Sequence, residues 1–136
     1  DTALDLLERA LLADPEHPVA WEQIGVVRFR RGDLGIARDA LRRTLVLDPE
    51  RDSARHALVL VHLARGERAA AARELDALVS RRPEALGYAV DRAALHFDAG
   101  ERDAGLARLE TVLAADPANE RALRMRDAVL AAEETS

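Results

Sequence analysis

His62 and His96 stand 34 residues apart, and two imidazoles brought together by a folded chain would be the start of a metal site. The spacing argues otherwise. If each ring sits in its own layer of helices, the layers lie ~8–10 Å apart while a metal–imidazole bond is ~2.0–2.1 Å, and no third ligand is in view. Each His is therefore expected to be a packed polar side chain, hydrogen-bonded where units meet. His56, one turn after Asp52, reads as a groove or surface residue and not as a base. The serines are Ser53, Ser80 and Ser136, and the chain has neither cysteine nor lysine. With no phosphate-binding glycine loop and carboxylates spread over helix exteriors, no triad or paired-acid geometry emerges. The inventory predicts no enzyme, no cofactor and no metal.

The absence of cysteine removes disulfides, thiol nucleophiles and thiolate metal sites, and it fits a cytoplasmic or a periplasmic setting equally. Of the 136 residues, 49% are hydrophobic but only 3% aromatic, a helical composition dominated by Ala, Leu and Val. Charged residues make up 33% with a net charge of −5, and the arginines are interleaved with Asp and Glu. Arg42-Arg43 and Arg81-Arg82 are too short to form a nucleic-acid footprint against that acidic balance. The longest apolar run, Ala57 to Ala64, is far short of the ~20 residues of a membrane span, and the acidic start Asp1 to Asp5 is no signal peptide. Heavy use of Ala and Arg without Lys points to a bacterial source.

Positioning comes from a strict internal period. Pro15, Pro49, Pro83 and Pro117 recur every 34 residues, and Gly32, Gly66 and Gly100 keep the same interval, each followed by Asp33, Glu67 or Glu101. Glycine admits the left-handed conformation that ends a helix, and proline lacks the N–H that a helix interior needs. Helices are expected near 2–13, 18–31, 34–47, 53–65, 68–81, 86–99, 102–115 and 120–133. Asp52 and Asn119 are expected as caps, with the acidic residue after each glycine complementing the next helix dipole.

Within residues 18–51, Trp21-x2-Ile24-Gly25, Ala37-x3-Leu41 and Asp48-Pro49 resemble the tetratricopeptide signature, with Arg28 where Tyr is usual. Residues 52–85 keep Leu58, Gly66, Ala71, Leu75 and Pro83. Residues 86–119 keep Ala93, Gly100, Leu109 and Pro117 but depart at Arg92 and Gly105. The resemblance implies an all-α fold, an α-solenoid of stacked antiparallel helix pairs in a right-handed superhelix. The repeats would be 18–51, 52–85 and 86–119, flanked by 1–17 as the second helix of a partial repeat and 120–136 as a capping helix or half repeat. This reads as a fragment of a longer array.

On the family template the groove lies along the first helix of each pair, and its stripe here is Glu22, Val26, Phe29 and Arg30, then His56, Leu60 and Leu63, then Val90, Asp91, Ala94, Phe97 and Asp98. The residues support this independently, because 54–64 is apolar on every face and such a helix must be covered all round. Some relatives grip a C-terminal carboxylate with basic groove residues, but the matching positions, Glu22, Val26, Ala57, Gly87 and Asp91, hold no base. An apolar or amphipathic partner segment is implied, anchored on Phe29 and Phe97.

Arg92 replaces an apolar residue and must find acceptors: either a carboxylate of the chain or an acidic group on a partner. The function read from all this is a protein-interaction module. The alternatives are self-association and a recruiting or regulatory arm of a larger enzyme.

Overall fold

The computed structural model describes residues 2–135, among which the chain forms eight helices: α1 (Thr2–Ala13), α2 (Pro18–Arg30), α3 (Leu34–Leu47), α4 (Asp52–Ala64), α5 (Arg68–Arg81), α6 (Leu86–Asp98), α7 (Arg102–Ala115) and α8 (Glu120–Glu134). No strand occurs among the described residues. Two compact units divide within α5, one running to residue 74 and the other starting at residue 75.

The glycines end helices as their spacing requires. Gly32, Gly66 and Gly100 have φ of 82°, 75° and 78°. Each closes the same C-terminal motif: Gly32 N–H donates to the Phe29 carbonyl at 3.0 Å and Asp33 N–H to that of Arg28 at 2.9 Å. Gly66 with Glu67, and Gly100 with Glu101, repeat both bonds, the second at 2.8 Å in each case. The Asp-Pro turns are held by side chains, since the Asp14, Asp48 and Asp116 carboxylates accept from the N–H two residues on. At the third such position stands Arg82, and there the turn relies on the Ala85 N–H bonding the Arg82 carbonyl at 3.0 Å.

The caps differ in part from expectation. Asn119 accepts from Ala122 N–H at 3.0 Å, as its type predicts. Asp52 is instead the first residue of α4; Arg51 is the N-cap and makes no side-chain cap bond. A cap not foreseen is His17, whose Nδ1 accepts from Ala20 N–H at 3.2 Å while Pro18 opens α2. Asp33 and Glu101 sit at the start of α3 and α7 but make no side-chain cap bond. They turn back onto the preceding helix, for a reason given below.

In the first unit α2 packs on α1 and α3, and α3 on α4. Ala37, Leu41, Ala54, Leu58 and Val61 form one core, and Leu4, Ile24 and Ala40 another beside Trp21. Thr44, also fully buried, satisfies its hydroxyl on the Ala40 carbonyl at 3.0 Å. In the second unit α6 packs on α7, with α8 closing a core of Val90, Ala93, Leu109, Val112 and Ala122. Positions 41, 75 and 109 are leucines in register, and all three are buried. Within each unit the helix pair thus hides its apolar stripe against the helix that follows it, α4 after α2–α3 and α8 after α6–α7.

Candidate partner-binding surface

The residues expected as a stripe on the first helices stand in different surroundings, which decide the use of each. On α2, Glu22 is committed to structure: its carboxylate accepts from Arg51 Nε at 2.7 Å and from Ser53 Oγ at 3.0 and 3.1 Å. That bond keeps the Arg51 guanidinium more firmly protonated than usual. Phe29 is half-buried against the core beside Ala37. Val26 and the exposed Arg30 line a cleft of about 400 Å³ whose other wall is Ala3, Leu6 and Leu7 of α1.

On α4, Leu60 and Leu63 are 43% and 38% exposed, one turn apart, while Leu58, Val59, Val61 and His62 around them are buried. His56 is half-buried and engaged within the fold. The all-round apolar character of this helix is accounted for on every side but that of the two leucines.

The second unit corrects one assignment. Val90 is 1% exposed, in the core with Ala122, and so stands behind the surface. The reason is packing: the α6 turn that carries it is covered by α7 and α8. Asp91 is bonded by Arg121 Nη2 at 2.7 Å. Ala94, Phe97 and Asp98 line a cleft of about 360 Å³ with Met125, Ala128, Val129 and Ala132 of α8. Those four were missed in the sequence, although their spacing of three and four is the mark of one helix face. The Phe97 ring packs against Gly105, where an added Cβ would lie 2.5 Å from its Cε1. The departure at position 105 is thus the seat of an aromatic side chain.

The residues at the usual Tyr position share one task. Arg28 Nη1 donates to Asp33 at 3.2 Å, His62 Nδ1 meets Glu67 Oε1 at 3.0 Å, and His96 Nδ1 meets Glu101 Oε1 at 3.2 Å. Each bond pins the acid that follows the helix-ending glycine, doubling the backbone clasp. Among the described residues no group of three or more His, Asp or Glu is placed to hold a metal ion.

His62, with Arg65, holds the Glu67 carboxyl below the usual glutamate range. A carboxylate depressed in the folded state contributes stability above its unfolded range and loses it as pH falls through the folded midpoint. A carboxyl-carbon NMR titration is expected to show Glu67 titrating below an ordinary glutamate, and His62→Phe is expected to move it upward. An unmoved midpoint would remove His62 as the cause.

Residues 1–52 match the family model described as tetratricopeptide repeat. No curated protein sequence matches the chain. Among solved structures, MamA is 20% identical, with a TM-score of 0.76 over 88% of this chain and 70% of its own. YrrB, a protein of this repeat class with an unusual peptide-binding site, is 19% identical with a TM-score of 0.77, over 91% of this chain and 64% of its own. The first such domain of Spaghetti, bound to an HSP90 peptide, is 17% identical with a TM-score of 0.72, over 86% of this chain and 93% of its own. The chain therefore spans less than two thirds of YrrB. At these identities the likeness carries the fold, that of an α-solenoid of helix pairs. No helix among the described residues is long and apolar enough to cross a membrane.

Proposed function

We propose that this chain is a tetratricopeptide-repeat protein-interaction module, holding an apolar or amphipathic segment of a partner on the outer faces of α2 and α4 in the first unit, with α6 offering a like face within the second, without cofactor or catalysis. The observation that carries the reading is the Leu60–Leu63 pair, exposed one turn apart on a helix whose other faces are covered. The spacing is that of a helix laid on a helix, where leucines meet residues at intervals of three and four on the partner. The apolar clefts beside Val26 and Phe97 extend the same chemistry within their own units. Peptide binding by YrrB and by the Spaghetti domain supports the reading by analogy of fold. Repeats 18–51 and 52–85 would each contribute a first helix in the first unit and repeat 86–119 one in the second, with Glu22 and Asp91 held by their arginine partners and Val90 in the core of its own unit.

Peptides selected from a random library on the native chain provide the test. They are expected to be amphipathic and to bind Leu60→Asp at least about tenfold more weakly, because a buried unpaired carboxylate must be desolvated against them. Equal affinity for Leu60→Asp would sink the α4 assignment.

A further inference from the structure

Arginines gather in the first unit away from the leucine pair. A cleft of about 480 Å³ between α3, α4 and α5 is lined by Arg42, Arg55 and Arg73, with Glu74 the one carboxylate. Glu74 is already taken, accepting from Arg55 Nη1 at 2.8 Å, and Arg55 Nη2 donates to the Pro49 carbonyl at 3.2 Å. The remaining Arg55 Nε–H is buried with no acceptor. Arg42 and Arg73, both exposed, make no hydrogen bond or ion pair among the described residues. Three cations thus face one neutralised anion, in a chain whose net charge is −5. In this cleft the arginines are in excess over the acids. The same cleft exposes apolar surface from Leu45 and Val46.

We propose that this cleft is a second binding site, for an acidic peptide segment of a partner. Carboxylates would take the forked donors of Arg42 and Arg73, and an apolar side chain between them would cover Leu45 and Val46. Two guanidiniums on separate helices suit two carboxylates carried by one chain. The apolar lining suits a peptide over a bare ion, which has nothing to place there.

The test uses the whole chain and a fluorescent, end-blocked peptide of alternating glutamate and leucine, followed by anisotropy. Saturable binding is expected, weakening as salt rises. The Arg42→Ala, Arg73→Ala double variant is expected to bind at least about tenfold more weakly with unchanged helical circular dichroism. A peptide with glutamine in place of glutamate should lose as much on the native protein, an arm that needs no variant. Undiminished binding by either the double variant or the glutamine peptide would overturn the proposal. Displacement of the peptide by equimolar inorganic phosphate would also overturn it, as the mark of a simple anion site.

Discussion

Gly25→Ala is expected to lower stability by about 1–3 kcal/mol and Leu41→Ala by about 2–5 kcal/mol, while the double variant costs clearly less than their sum. A Cβ at position 25 would lie 2.6 Å from Leu41 Cγ and 2.8 Å from its Cδ2, with the Ala37 carbonyl oxygen at 3.3 Å. Leu41 is fully buried with Ala37, Ala54, Leu58 and Val61, so it has no open side to retreat to. Truncating Leu41 removes the very atoms that the new methyl would strike, and the methyl then fills part of the cavity. Gly35 supplies the control, since a Cβ there meets only Arg65 Nη1, at 3.6 Å. Gly35→Ala should stabilise α3 by about 0.5–1 kcal/mol through helix propensity alone. Denaturant unfolding of the four corners of the cycle measures the coupling. Additivity within about 0.5 kcal/mol would mean that Gly25 and Leu41 do not touch in solution.

That contact was half legible in the sequence. The period announced that position 25 is Gly and position 41 Leu, and the glycine and proline marks gave every helix to within about one residue, because both act locally through φ and the missing N–H. What a side chain does after the helix is made depends on its neighbours in space. Asp33, Glu67 and Glu101 precede helices and so look set to complement the next helix dipole, but the positions five residues earlier offer Arg28, His62 and His96, and the acids turn to them. Position 22 and its equivalents looked like groove, yet Glu22 reaches forward to Arg51 and Ser53, and Val90 packs under α8. The position is a seam between successive helices, and a helical wheel drawn on one helix carries no record of the next. Leu60 and Leu63 were found because their helix was apolar on more faces than its neighbours could cover.

Arg92 separates structure from recognition, and its partner makes the separation measurable. Asp76→Ala is expected to destabilise the chain by about 1–3 kcal/mol, and adding Arg92→Leu to restore most of that loss. Arg92 is only 14% exposed and its Nε donates to Asp76 Oδ1 at 2.8 Å; the same oxygen accepts from Arg108 Nη2 at 3.3 Å. Arg108 Nε in turn donates to His96 Nε2 at 3.3 Å, which makes that nitrogen the acceptor and leaves Nδ1 as the donor to Glu101. One carboxylate therefore anchors two guanidiniums at the head of a chain of bonds crossing α5, α6 and α7. Asp76 is itself 48% exposed, so water screens the pair and the loss falls short of that for a fully buried one. Removing the acid alone strands Arg92 largely out of water. Removing both restores the apolar type that Ile24 and Leu58 supply at this place in the other repeats, where both are buried. Thermal unfolding of Asp76→Ala, Arg92→Leu and the double variant reads the stability arm, and binding of the selected peptides to Arg92→Leu reads the other. With its donor already bound to the chain's own carboxylate, Arg92 should change melting and leave affinity as it was; lost affinity with an unchanged melting temperature would transfer it to the partner.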